Sequence, residues 1–173
     1  MKANKQLFLS VSDAVVDLCK PEGFVEHPVY SAGWEAANQA YQESLICTDL
    51  AQHIDQLEMS FFPKDRAFGF AITRSENVFG INDLADLPAV AGDCTDMWLH
   101  QPFTEYQLCG GTRWDLLVGR QPFRLRRHDL QDMDKAAGKI VRAFAKDASY
   151  LFGALRGDYR GRRVLVRAYD MRG

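Results

Sequence analysis

Four groups of residues carry types and spacings with chemical potential. Cys94 and Cys109, with His100 between them, offer a thiol nucleophile and a base if the fold brings them together. Adding His128 gives a Cys/His set with 5, 8 and 18 intervening residues. Structural zinc sites use closely spaced ligand pairs, so this set predicts no metal, and buried, inert thiols are the simpler reading. Asp83, Asp86, Asp93 and Asp96 precede Trp98 in a long irregular stretch. An acidic loop carrying an indole is a candidate docking surface for a partner. Its plain alternative is an indole that anchors the loop in its own core.

The fourth group is basic. Arg120, Arg124, Arg126 and Arg127 crowd one turn-and-strand segment, and Arg160, Arg162 and Arg163 crowd another with Arg167 close behind. Lys135, Lys139, Arg142 and Lys146 recur at i, i+4, i+7 and i+11, one side of a helix. Together they are candidates for binding a partner or nucleic acid, because a face of cations neutralises phosphates or an acidic protein surface. A basic helical stripe also exists simply to face water.

Standard signatures are absent. There is no G-x-x-x-x-G-K-[ST] phosphate loop and no dinucleotide fingerprint. The pair Gly110-Gly111 precedes an expected strand, whereas a pyrophosphate-binding loop opens a helix. Arg156-Gly157-Asp158 reads as a helix stop. No cofactor is expected.

The charge is divided along the chain. Residues 1–112 hold 6 Lys and Arg against 16 Asp and Glu, −10; residues 113–173 hold 15 against 7, +8. The net of −2 hides this split, which predicts an acidic and a basic region that either neutralise each other or dock on a charged partner. No run of 18 apolar residues exists, so no membrane span is expected. Asp13 and Asp17 interrupt the amino-terminal apolar stretch, so the chain is expected to remain in the cytoplasm. The four scattered cysteines fit reduced thiols there.

The elements that must position these groups follow from periodicity. Gln6 to Cys19 reads as a helix with Leu7, Phe8, Val11, Ala14, Val15 and Leu18 on one side, ended by Pro21 and Gly23. Trp34, Ala37, Tyr41 and Leu45, then Leu50, Ile54, Leu57 and Phe61, match helical stripes and predict helices over 33–46 and 49–60. Ala67 to Thr73 alternates as a strand and returns at Val78 to Ile81. Glu105 to Cys109, Thr112 to Val118 and Phe123 to Arg127 read as a three-strand meander, and Arg162 to Tyr169 as a closing strand. Asp129 to Leu155 is the strongest helix, with Leu130, Met133, Ala137, Ile140, Val141, Phe144, Ala148, Leu151, Phe152 and Leu155 on one stripe.

The expected architecture is a single α+β domain over 1–173. It has an antiparallel-dominated sheet of about six strands and three or four helices mainly on one face. The expected function is a non-enzymatic interaction protein that docks on a charged macromolecular partner, such as an inhibitor or regulator of a nucleic-acid-handling complex. A protein partner is expected first. Direct DNA or RNA binding through the arginine-rich last third is one alternative, and a thiol enzyme at Cys94 or Cys109 with His100 is another. Salt-sensitive affinity marks the former, and a concave site with a shifted titratable group marks the latter.

Overall fold

The computed structural model describes residues 2–28, 33–35, 39–48, 52–76, 103–109, 123–158 and 163–169. Helix α1 spans Lys2–Cys19 and ends at a short 3-10 turn, Lys20–Glu22. Gly23 follows at φ +88, a left-handed position that suits glycine. Strands β1 (Val25–Glu26), β2 (Gly33–Glu35), β3 (Ala40–Thr48), β4 (His53–Phe62), β5 (Ala67–Glu76), β6 (Phe103–Leu108) and β7 (Val164–Tyr169) form one antiparallel sheet. Its order is β1-β3-β4-β5-β6-β7, with β2 also paired to β3. Helix α2, Met133–Leu155, precedes β7.

Two helices are present among the described residues, not three or four, and the sheet has seven strands rather than six. The correction falls on 33–46 and 49–60. The described residues there are strands, with Tyr41 opposite Phe61, Leu45 opposite Leu57 and Thr48 opposite Ile54. Polar residues on the inner face and apolar ones on the outer face disguised the period of two. Glu43 and Asp55 point inward beside Tyr41, Leu45, Leu57 and Met59, while Ile46 and Ile54 are buried on the opposite side. Alternation by residue type vanishes when both faces of a strand are buried, and apolar residues at i, i+3 and i+7 then imitate a helix. Phe123 to Arg127 is not a regular strand: Arg124 makes an isolated bridge to Ala67. The positions 78–81 and 112–118 lie outside the described residues.

Both helices pack on the inner face of the sheet. Phe8 of α1 stacks on Tyr41 of β3, ring centres 5.6 Å apart, and Phe144 of α2 meets Phe70 of β5 at 4.6 Å. Between them runs one continuous core, including Leu7, Val11, Leu57, Met59, Ile72, Tyr106, Leu108, Ile140 and Leu151. Of the apolar stripe foreseen, Ala137, Ile140, Phe144, Ala148, Leu151 and Phe152 are buried and Leu130, Met133, Val141 and Leu155 pack partly buried against the core, with Ala136 and Ala154 buried beside them. Its start moves to Met133: Asp129–Gln131 is a 3-10 turn, and Asp132 is the cap, its carboxylate accepting from the Lys135 amide at 3.0 Å. At the other end Gly157 adopts φ +82, and the Asp158 amide bonds the Gly153 carbonyl at 2.8 Å.

Candidate charged interface

The cations of the last third of the chain separate into two classes, according to what the fold offers them. One class is used internally. Arg163, just before β7, reaches the carboxylate of Asp147, which is 2% exposed on the buried side of α2, and its guanidinium lies 4.7 Å from the centre of the Tyr150 ring. That cluster ties the closing strand to the helix by charge and by cation–π attraction. Lys139 donates to Asp129 at 2.6 Å, and the Arg126 amide donates to the same carboxylate oxygen at 2.6 Å. The Lys139 hydrogen bond, helped by that amide, holds Asp129 below the usual carboxylate range. Arg156 at the end of α2 pairs with Glu22 beyond α1 at 2.7 Å.

The second class faces water. Arg124, Arg126, Arg127, Lys135, Arg142 and Lys146 are all exposed, and none of their side chains forms an ion pair among the described residues. Lys135, Arg142 and Lys146 keep the spacing that puts them on one side of a helix, opposite the buried stripe. Gly138, a poor helix former, has a local role here. A Cβ at that position would sit 3.1 Å from a terminal guanidinium nitrogen of Arg142, so the arginine lies back along the helix over the glycine.

The structure therefore brings Lys135, Arg142 and Lys146 together on α2, with Arg124, Arg126 and Arg127 in the segment that leads to it. It withdraws Lys139 and Arg163 into internal pairs. Arg120, Arg160 and Arg162 lie outside the described residues, as do Asp83, Asp86, Asp93, Asp96 and Trp98 of the acidic loop.

Of the thiol and metal candidates, Cys94 and His100 lie outside the described residues. Cys109 is half-buried, its thiol 3.7 Å from the Gln107 carbonyl. Among the described residues no group of three His, Cys, Asp or Glu side chains is placed to hold a metal ion. Cys19 is fully buried at the end of α1, where burial first and the Glu22 charge second push its thiol up to about 12. Such a thiol stays protonated and unreactive at neutral pH. No helix among the described residues is long and apolar enough to cross a membrane.

Three polar groups that organise the fold escaped the sequence reading. Asp147 falls in phase with Phe144, Ala148 and Leu151, and a lone carboxylate on an apolar stripe was a readable sign of a buried pair. Arg74 continues the inward series Phe68, Phe70 and Ile72, and binds Asp55 through two nitrogens, each at 2.7 Å. Glu43, 7% exposed, accepts from the Ser12 hydroxyl of α1 at 3.2 Å, which no local pattern signals.

No family model, curated protein or solved structure matches this chain.

Proposed function

We propose that this chain is a non-enzymatic docking protein that engages an acidic macromolecular surface through α2 and the arginine segment before it. The observation that carries this reading is the division of the cations. Lys139, Arg156 and Arg163 are consumed by internal carboxylates, whereas Lys135, Arg142, Lys146, Arg124, Arg126 and Arg127 are presented to solvent without one among the described residues. Three cations along one side of the helix and three in the segment before it attract an anionic partner, speed the encounter and fix its orientation. An acidic protein surface is the partner favoured here, and a regulatory role on a nucleic-acid-handling complex fits it, since such complexes carry charged docking faces.

The test is affinity capture from lysate of the native cell with wild type and with the charge-reversed chain Lys135→Glu/Arg142→Glu/Lys146→Glu, each with and without nuclease. The reading expects a protein partner that survives nuclease, is lost on charge reversal and is released by moderate salt. Recovery that depends on nucleic acid would transfer the same face to direct DNA or RNA binding, with uniform loss of affinity across sequences. Equal capture by the two chains would overturn both.

A further inference from the structure

Helix α1 is seated by apolar contacts around a single buried carboxylate. Leu7, Phe8, Val11 and Val15 are all buried in the core that α1 shares with α2 and the sheet. Beneath its middle, Glu43 of β3 lies 7% exposed and accepts the hydrogen bond from Ser12. Its neighbour across the ladder on β4 is Met59, which offers no charge. The charges that act on it are Glu26 of β1 and Asp13 of α1, both carboxylates, and its remaining donor is the Ser44 backbone amide. His27, next along the chain from Glu26, is also buried, and burial holds it neutral down to about pH 4, so it supplies no cation at mild pH. An ionised Glu43 is therefore a buried anion facing two like charges, with a hydroxyl and an amide as its hydrogen-bond donors.

We propose that Glu43 is a proton-operated latch for α1: with its carboxyl protonated the helix stays seated on the sheet, and loss of that proton loosens α1 while the sheet and α2 stay intact.

The direction follows from the site. Burial first, and then Glu26 and Asp13, raise the Glu43 carboxyl above its ordinary range, against the opposing hydrogen bonds of Ser12 and Ser44. Opening α1 returns the carboxyl to water and to an ordinary pKa. The closed form is thus favoured most below the ordinary carboxylate range, and its advantage falls as pH climbs through the raised value. Opening is local because β3 keeps its ladder to β4 over eight residue pairs, and α2, on which α1 also packs, keeps its own seat on the sheet through Phe144 against Phe70 at 4.6 Å. The carboxyl-terminal end of α1 stays anchored by the Glu22–Arg156 pair at 2.7 Å and by Phe24 packing on Phe152 at 5.9 Å, which makes that end the hinge. The latch is independent of the docking function above, since it uses none of the exposed cations.

Hydrogen exchange of the full chain, followed by mass spectrometry from pH 5 to pH 8 and corrected for intrinsic amide rates, tests this. In the wild type the opening of α1 rises with pH, tenfold for each pH unit by which the seated carboxyl stands above its ordinary range, while the core of α2 stays flat. Glu43→Gln abolishes the rise. Glu26→Gln, an exposed change that leaves folding untouched, moves the rise to lower pH, and Ser12→Ala moves it to higher pH. Parallel change in α1 and α2, or a rise that persists in Glu43→Gln, overturns the proposal. If Glu43→Gln does not fold, the wild-type comparison of α1 with α2 and the Glu26→Gln shift decide between the same outcomes.

Discussion

The Arg74 guanidinium donates to the Leu155 carbonyl at 2.5 Å, so a strand in the middle of the sheet caps the last turn of α2 across 81 residues of chain. The carbonyls of a final helical turn lack intrahelical partners, and a cation there also meets the negative end of the helix dipole. The same guanidinium binds both oxygens of Asp55, which is 8% exposed. One side chain thereby fixes the helix end to β5 and β4 together. Arg74→Ala leaves Asp55 as a buried charge without its partner and uncaps α2, and is expected to cost about 3–5 kcal/mol in urea denaturation. Arg74→Met combined with Asp55→Leu restores much of that loss, because the uncompensated anion is gone. A double variant no more stable than Arg74→Ala would contradict this account.

Two glycines of the α2 region are expected to respond oppositely to alanine. At Gly157 nothing crowds a Cβ, but the backbone sits at φ +82, where an L side chain costs about 1–2 kcal/mol. At Gly138 the conformation is helical, and the Cβ meets only the mobile end of Arg142 at 3.1 Å. Alanine there displaces a flexible guanidinium and gains about 1 kcal/mol of helix propensity. Thermal denaturation of the two single variants should move in opposite directions.

Stability should also fall on acidification before ordinary carboxylates titrate. His27 is 4% exposed, and burial lowers its pKa from the ordinary value of 6.5 to about 4. The unfolded chain therefore binds a proton that the folded chain refuses, so stability declines as pH falls from 6.5 toward 4. At 1.36 kcal/mol per unit the full effect is about 3 kcal/mol. Glu43 acts in the opposite sense, losing stability as pH rises. His27→Phe should flatten the slope between pH 6.5 and pH 5 in denaturant melts; an unchanged slope would locate the titrating group elsewhere.

What the sequence disclosed and what it hid have one physical origin. The α2 stripe was legible because its buried face is almost wholly apolar and its opposite face charged, so residue type and environment coincide from Met133 to Leu155. The same coincidence holds in β5, where Phe68, Phe70 and Ile72 alternate with small residues. In β3 and β4 it fails. Glu43 and Asp55 sit on the core side because Ser12 and Arg74 satisfy them, and Ile46 and Ile54 are buried on the other face. The partners that make those exceptions possible are 31 and 19 residues away, beyond any local window. The basic stripe was legible as a pattern, but not its division, because the carboxylates that claim Lys139 and Arg163 approach through the fold.

That division yields the sharpest prediction for the interface. Lys139 is 39% exposed and bonded to Asp129 at 2.6 Å, while Lys146 lies on the same stripe without an ion pair among the described residues. Replacing Lys139 by alanine is expected to cost about 0.5–1 kcal/mol in denaturation and to let the Asp129 carboxyl rise toward its ordinary range, visible by NMR titration. Its effect on association should be small, since its charge is already neutralised at short range. Lys146→Ala and Lys135→Ala should leave stability within about 0.5 kcal/mol, yet weaken binding to poly-glutamate and reduce the salt dependence of that binding. An internally paired cation contributes to the fold, and a free one contributes to association, so the two readouts should separate the residues. If Lys139→Ala weakens association as much as Lys146→Ala while stability is untouched in both, the pair with Asp129 does not persist in solution and the stripe acts as an undivided surface.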